Sequence, residues 1–191
     1  SDWSAASYWY EMMALSRQAE IQLKGLFKQS LQGDAAGAKL FAQLGVGSTF
    51  TSDGVVLKKT GNVTRKLVYD FVNEPDLAQT FVVTCAGMNI PFRFSGLQSL
   101  KIKETDRIEA LKQELHKLGY VLKDSCNSIL EWDGERCEAE ENPQIATYEF
   151  VLVIHLAVPV YLLRWRWFVR QESRLYILKS LVRVIRIIGN I

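Results

Sequence analysis

The 191-residue sequence is poor in the residues that mark fibrous, disordered and disulfide-linked proteins. It has only 4 Pro, 12 Gly and 3 Cys, while 48% of its residues are hydrophobic. This composition excludes a collagen-like, a disordered or a disulfide-stapled chain, and it is ordinary for a globular protein of one or two domains. Cys85, Cys126 and Cys137 form no CxxC pair. A zinc site is therefore not supported, and reduced thiols fit the cytoplasm.

The sequence also lacks a segment that would span a membrane or direct secretion. The apolar stretch at residues 150–163 includes His155 and Pro159 and is shorter than the about 20 apolar residues that a span needs. Neither the basic region nor the small-residue cleavage site of a signal peptide precedes the first helical pattern. Because that pattern begins at once, without an initiator Met, we expect the chain to be a piece of a longer protein.

Charge is unevenly distributed along the chain. The formal net charge is +2, from 23 Lys and Arg against 21 Asp and Glu. Residues 1–149 carry 16 basic and 20 acidic side chains, whereas residues 150–191 carry 7 basic side chains and one acidic side chain. A mildly acidic segment is thus followed by a basic, apolar tail, and we expect the two to have different roles.

A 74-residue internal repeat organises the first segment. Asp2 opens a helical pattern and Gly45 follows the end of a second one, and Asp76 and Gly119 repeat this layout 74 residues later. The sequence predicts helices that begin near Asp2 and Asp76, helices at residues 34–44 and 105–118, and strands at residues 55–58, 68–72, 92–94 and 129–132. Two units, about 1–75 and 76–149, are therefore expected to pack together.

The run Lys103-Glu104-Thr105-Asp106-Arg107 lies where the last predicted helix begins, with Thr105 or Asp106 as its N-cap. Two interpretations are open. On charge pattern alone, the run is a solvated helix start. Alternatively, Lys103 and Arg107, one turn apart, face an anionic group at the helix N-terminus. Glu104 between them could then move a proton.

Four segments of the sequence resemble one enzyme family in their order and spacing. They are DWSAASY at residues 2–8, PDLAQT at 75–80, KETDR at 103–107 and IATY at 145–148. Together they resemble 5-enolpyruvylshikimate-3-phosphate synthase (3-phosphoshikimate 1-carboxyvinyltransferase) over residues 1–149. The resemblance implies an α/β fold of repeated βαβαββ units, the inside-out α/β barrel of the enolpyruvate transferases, here as a partial domain. Because the match begins past the middle of the family's chain, the N-terminal domain of the same enzyme is an implied partner.

The resemblance also implies an activity. The family transfers the enolpyruvyl group of phosphoenolpyruvate to the 5-hydroxyl of shikimate 3-phosphate and releases phosphate. This transferase reaction belongs to the shikimate pathway, on the route to chorismate and the aromatic amino acids. It requires neither a metal nor an organic cofactor. The implied enzyme is cytoplasmic, is a monomer when intact, and has no nucleic-acid or membrane partner.

Site residues follow from the resemblance by position. Asp76 would contact the shikimate ring hydroxyls and take part in proton transfer, although without the resemblance it reads equally as a helix N-cap. Lys103 would contact the 3-phosphate or the reacting hydroxyl of shikimate 3-phosphate, and Glu104 would exchange a proton with the enolpyruvyl carbon. Arg107 would bind the phosphate of phosphoenolpyruvate. Ser99 lies near a further substrate-contacting position, and no residue is implied as a metal ligand.

Residues 150–191 depart from both the repeat and the family pattern. After Glu149 the family continues with Asp-His-Arg, whose Arg binds phosphoenolpyruvate, and this sequence has no counterpart. We interpret the tail as a shifted reading frame or another sequence error, and we expect the isolated chain to be inactive. One alternative function is that of a UDP-N-acetylglucosamine enolpyruvyl transferase. Another is a noncatalytic fragment whose basic tail, with Arg164-Trp165-Arg166-Trp167, docks on anionic lipid or nucleic acid.

Overall fold

Two β-sheets and four α-helices make up the part of the chain that the structure describes. The structure is a computed structural model, and it describes residues 2–16, 20–102 and 106–141. The helices are α1 (Trp3–Leu15), α2 (Gly37–Gln43), α3 (Leu77–Met88) and α4 (Arg107–Lys117). The strands are β1 (Glu20–Lys24), β2 (Leu44–Phe50), β3 (Gly54–Val63), β4 (Leu67–Asp70), β5 (Phe92–Ser95), β6 (Lys123–Ser125) and β7 (Ile129–Trp132). The predictions for Lys103, Glu104, Thr105 and the tail from residue 150 lie outside the described residues.

Three strands of each sheet have the same order and antiparallel pairing. The first has the order β1-β3-β2 with antiparallel pairing, and Ile21 lies opposite Leu57. The second has the order β4-β5-β7-β6, in which β4 is parallel to β5 and the other neighbours are antiparallel. Strands β1, β3 and β2 therefore correspond to β5, β7 and β6. The mixed α/β character that the sequence predicts is confirmed.

The two units also share one backbone turn between helix and sheet. Gly45 and Gly119, 74 residues apart, both adopt left-handed backbone angles, with φ of +80° and +86°. Each follows a Leu that caps the C-terminus of its helix. Glycine is favoured here because a side chain in the left-handed region meets its own backbone. The Leu-Gly ends that the sequence predicts for α2 and α4 are confirmed.

Substituting Gly119 by Ala tests how tightly this turn is packed. A Cβ at Gly119 would lie 2.9 Å from the carbonyl oxygen of Cys137, whereas a Cβ at Gly25, with a φ of +74°, would meet nothing within 4 Å. We expect Gly25→Ala to lower the free energy of unfolding by about 1–2 kcal/mol, the cost of left-handed backbone alone. Gly119→Ala should lower it further in urea denaturation. Equal losses for the two variants would show that the carbonyl contact is unimportant.

The core surrounds α3. Every residue from Leu77 to Ala86 is buried, which is typical of a helix enclosed on all sides. Helix α1 packs against it, and the hydroxyls of Ser7 and Thr80 lie 3.3 Å apart across that contact. Successive aromatic contacts run through Tyr10, Phe41, Phe81, Phe71 and Phe94, with ring centroids 4.3–5.7 Å apart. In the ranges that the structure describes, no helix has the length and apolar character needed to cross a membrane.

Three predicted elements differ from the structure. The strand predicted at residues 55–58 is the longer β3, Gly54–Val63. The predicted helix at residues 34–44 begins as a 3₁₀ turn, Gly33–Ala36, and becomes α-helical only at Gly37. Asp34 does not cap it, because its carboxylate instead accepts a hydrogen bond from the hydroxyl of Ser4. The strand predicted at residues 68–72 is Leu67–Asp70. It ends there because the Asp70 carboxylate accepts a hydrogen bond from the Val72 amide and turns the chain.

Candidate active site

Asp76 occupies the N-cap position of α3, but its side chain does not cap the helix. Its backbone is already helical, with φ −67° and ψ −24°, and no side-chain capping bond is formed. A capping aspartate normally has an extended backbone and accepts a hydrogen bond from the first turn. Asp76 is therefore at the N-cap position, as the sequence predicts, but the prediction that its side chain caps the helix is wrong. Its carboxylate is half exposed and faces Arg107 instead.

Arg107 is the first residue of α4, which Asp106 caps by accepting a hydrogen bond from the Glu109 amide at 3.1 Å. The Nη1 atom of Arg107 lies 3.6 Å from Oδ1 of Asp76. The Arg107 side chain is 13% exposed and that of Asp76 is 52% exposed. A cation is unfavourable at a helix N-terminus, where the backbone dipole is positive. The helix dipole therefore does not explain an arginine at this position, whereas the Asp76 carboxylate beside its guanidinium does.

At the equivalent helix start in the first unit, side chains of the same unit accept hydrogen bonds from the backbone amides. Asp2, which corresponds to Asp76, is extended and accepts a hydrogen bond from the Ala5 amide at 3.1 Å. The Trp3 amide donates to Oε1 of Gln32 at 2.9 Å. Asp2 is therefore the N-cap of α1, and the helix start that the sequence predicts near Asp2 is confirmed. Of two aspartates at one repeat position, one stabilises a helix and the other pairs with Arg107.

Contacts that the sequence did not predict stabilise the turn before Asp76. The Tyr69 hydroxyl donates a hydrogen bond to the buried carboxylate of Glu74, two residues before Asp76. Burial, this hydrogen bond and the negative charges of Glu74 and Asp70 raise the pKa of Tyr69 to about 12, so the hydroxyl remains a donor at neutral pH. A Cβ at Gly96 would lie 2.4 Å from the Val72 amide nitrogen. No pattern in the sequence distinguishes Tyr69, Glu74 and Gly96 from other strand and turn residues.

The other predicted site residues occupy one stretch of chain before α4. Ser99 lies in a 3₁₀ turn, Gln98–Lys101, and is half-buried. Lys103 and Glu104 lie outside the described residues. The structure therefore brings together Asp76 and Arg107, which are 31 residues apart in sequence, and it places Ser99 on the segment that leads to Arg107.

Similarity to known proteins extends over this whole arrangement. The profile of the family described as EPSP synthase (3-phosphoshikimate 1-carboxyvinyltransferase) matches residues 1–146, which include both Asp76 and Arg107. The chain belongs to the EPSP synthase family. The family resemblance of the sequence is thereby confirmed.

Members of the EPSP synthase family from bacteria and archaea are similar to the chain. The 3-phosphoshikimate 1-carboxyvinyltransferase of Bacteroides fragilis (strain ATCC 25285) is 64% identical over 149 residues, covering 78% of this chain and 36% of that protein. The protein of the same name from Methanosarcina acetivorans is 34% identical over 140 residues, covering 73% of this chain and 32% of that protein. The chain thus spans about a third of the length of these relatives.

A solved structure of an EPSP synthase has the same fold. The EPSP synthase of Acinetobacter baumannii superimposes with a TM-score of 0.58 at 15% sequence identity, covering 81% of this chain and 38% of that chain. This likeness supports the fold alone. The α/β architecture is therefore that of a partial enolpyruvate transferase domain, as the resemblance implies.

Proposed function

We propose that the chain supplies part of the active site of an enzyme that transfers the enolpyruvyl group of phosphoenolpyruvate to the 5-hydroxyl of shikimate 3-phosphate. The observation that carries this proposal is the pairing of Asp76 with Arg107 at the start of α3 and α4 in a chain of the EPSP synthase family. Arg107 binds the phosphate of phosphoenolpyruvate. Asp76 binds the ring hydroxyls of shikimate 3-phosphate and takes part in proton transfer.

The geometry allows a substrate phosphate to replace the Asp76 carboxylate at the Arg107 guanidinium. The Asp76–Arg107 contact of 3.6 Å is long for a charge-assisted hydrogen bond, and Asp76 is half exposed. A phosphate dianion that forms two parallel hydrogen bonds with the guanidinium can therefore replace this long carboxylate contact. In this proposal the displaced Asp76 carboxylate accepts hydrogen bonds from a hydroxylated ligand.

The remaining roles belong to the segment before α4. Lys103 contacts the 3-phosphate or the reacting hydroxyl, and Glu104 gives a proton to the enolpyruvyl carbon and retrieves it. Ser99 contacts the shikimate moiety. A reaction of this kind needs a carboxylic acid placed near the carbon and cations that hold two phosphates, and it proceeds without a metal or organic cofactor.

The isolated chain is inactive in this proposal, because the site is completed by the N-terminal domain of the same enzyme. A chain that covers 36% of its Bacteroides fragilis relative contains only part of that protein's residues. We place the complete enzyme, a monomer, in the cytoplasm. All three cysteines are free thiols, which fits a reducing compartment. The interpretations that concern the tail from residue 150 lie outside the described residues.

A chimera tests this function. In it, residues 1–149 replace the aligned segment of the Bacteroides fragilis relative, which is 64% identical. We expect phosphate release that requires both phosphoenolpyruvate and shikimate 3-phosphate, and none from the isolated 191-residue chain. A folded chimera without turnover would contradict the proposed function. Turnover by the isolated chain would contradict its proposed inactivity.

Substituting Glu104 by Gln in the chimera tests the proton-transfer role. General acid–base catalysis contributes about 10²–10⁴-fold to rate, so we expect kcat to fall by at least about 100-fold. Glu109→Gln is the matched control, because Glu109 is exposed and pairs with Lys112 at 3.0 Å on the outside of α4. Unchanged turnover in Glu104→Gln would remove Glu104 from the mechanism.

A further inference from the structure

The turn between β6 and β7 contacts the segment that leads into α4. The Leu97 amide donates a hydrogen bond to the carbonyl oxygen of Ser128 at 3.1 Å. The ammonium group of Lys101 donates a hydrogen bond to the side-chain oxygen of Asn127. A hairpin that is remote in sequence from Arg107 is thus joined to the chain just before it.

Lys101 extends this contact to the helix cap. Its Nζ atom lies 4.0 Å from Oδ2 of Asp106, and the other carboxylate oxygen of Asp106 accepts the hydrogen bond from the Glu109 amide. Asn127, Lys101 and Asp106 therefore form a chain of polar contacts that ends at the residue before Arg107. We call these three residues the α4 clamp.

The charge of Lys101 also reaches β6. The pKa of Asp124 is held below its ordinary value chiefly by a hydrogen bond from Lys112, and the positive charges of Lys112 and Lys101 act in the same direction. Lys112 in turn pairs with Glu109 at 3.0 Å in the first turn of α4. The hairpin is thus joined to α4 on both sides of Arg107, through the clamp before it and through Lys112 after it.

The backbone of the hairpin turn presents the Asn127 amide to Lys101. Cys126 and Asn127 both have left-handed angles, with φ of +53° and +56°. Asn is one of the few residues other than Gly that adopt this region readily. Gly would fit the same backbone without offering a side-chain acceptor. The turn accounts for Asn as well as for Gly at this position, and Asn adds the side-chain acceptor that Lys101 contacts.

We propose that Asn127 is a positioning residue for Arg107, acting through Lys101 and Asp106. The inference rests on the proposed function, because it assigns Arg107 the phosphate of phosphoenolpyruvate. The guanidinium is attached to the first residue of α4, so its place follows the place of the helix cap. A displacement of about 1 Å at a substrate-holding group can reduce rate about 100-fold. The clamp fixes that place from outside the site.

The test compares Asn127→Gly with Cys126→Gly in the chimera. Both substitutions relieve a left-handed residue of the same turn, but only the first removes the acceptor of Lys101. We expect Asn127→Gly to raise KM for phosphoenolpyruvate about tenfold and to change KM for shikimate 3-phosphate less than twofold. Cys126→Gly should leave both constants unchanged. A general loss of stability would reduce the amount of active enzyme and would not raise one KM selectively. Equal changes of KM in the two variants would overturn the proposal, because only Asn127→Gly removes the acceptor of Lys101.

A conservative variant and a double variant sharpen the test. Asn127→Asp keeps both the acceptor oxygen and a residue tolerant of left-handed backbone, so we expect it to retain the parent KM. Lys101→Met should raise KM for phosphoenolpyruvate as Asn127→Gly does, and the double variant should raise it no further, because both act through one chain of contacts. Additive effects, or an elevated KM in Asn127→Asp, would overturn the clamp.

Amide hydrogen exchange of the 191-residue chain separates this proposal from the proposed function. The Glu109 amide donates its hydrogen bond to the Asp106 carboxylate. Asn127→Gly should accelerate exchange of this amide hydrogen, and Cys126→Gly should not. Unchanged exchange at Glu109 overturns the clamp whatever the chimera does. A chimera without turnover refutes the proposed function, while faster exchange would still support the contact from Asn127 to the helix cap.

Discussion

Replacing Arg107 by Gln in the chimera is expected to lower kcat/KM by about 10²–10³-fold, the usual loss when one preorganised donor to a developing or bound anion is removed. The guanidinium is largely buried at the start of α4 and lies beside Asp76. Gln cannot supply its charge. Arg107→Lys should fall between Gln and the parent, because Lys keeps the charge but loses the planar pair of donors that suits a phosphate. Steady-state phosphate release gives all three values.

Arg93→Gln is the matched control for this series. Arg93 lies on β5, is half exposed and pairs with Glu131 at 3.1 Å across the sheet. It has the same charge as Arg107 and belongs to the same unit, but its guanidinium pairs with Glu131 rather than with Asp76. We expect its loss to change kcat/KM less than twofold. A value for Arg107→Gln within threefold of the parent would refute the assignment of Arg107 as a ligand of the phosphate.

The second large effect is expected at Glu11, where Met should stabilise the 191-residue chain. Glu11 lies on α1 with no exposed surface, and neither of its carboxylate oxygens has a hydrogen-bond partner among the described residues. Burying a polar group without a partner costs about 1–3 kcal/mol in proteins. Met has a similar length and no such cost. We therefore expect Glu11→Met to raise the free energy of unfolding by about that amount at pH 7.

The same carboxyl makes stability depend on pH in a defined direction. Burial raises the pKa of Glu11 well above its ordinary value of 4.5. The folded chain thus binds a proton that the unfolded chain releases. The contribution of Glu11 to stability is complete below about pH 4.5 and is lost as the pH rises above that value, by at most about 1.4 kcal/mol per pH unit. The advantage of Glu11→Met should accordingly increase from pH 5 to pH 8.

Urea denaturation of parent and variant across this range measures the difference directly. Glu138→Met serves as the control, because Glu138 is exposed. Its difference from the parent should be small, as is usual for an exposed position. A Glu11→Met chain that is less stable than the parent, or an advantage that shrinks with rising pH, would show that the buried carboxyl is ionised and compensated in the folded chain.

Local patterns in the sequence predicted most of the helices and the hairpins, because caps, Leu-Gly ends and alternation are short-range features. They did not predict β1 as a strand. Its sequence, EIQLK, alternates polar and apolar residues but has no turn residue before it. The strand forms because it pairs with β3, whose residues lie 30–38 positions away. The 3₁₀ start of α2 was missed for a related reason. Asp34 bonds to Ser4 on another helix rather than to its own first turn.

The candidate site was predicted only in part. The resemblance assigned roles to Asp76 and Arg107, whereas the charge pattern alone favoured a solvated helix start for Arg107. Neither could show that the two side chains meet, because a contact across 31 residues depends on how α3 and α4 pack. The α4 clamp left no trace in the sequence. Asn127 reads there as an ordinary turn residue, and only its contact with Lys101 distinguishes it from the neighbouring Cys126.

The matching left-handed glycines at Gly45 and Gly119 have an evolutionary consequence. Two segments that keep the same turn, sheet order and helix placement at one spacing are best explained by duplication of one ancestral unit. Duplication allows a division of labour between copies. In the copy that begins at Asp2 the aspartate caps its helix and stabilises it, whereas in the copy that begins at Asp76 the aspartate pairs with Arg107 of the next helix.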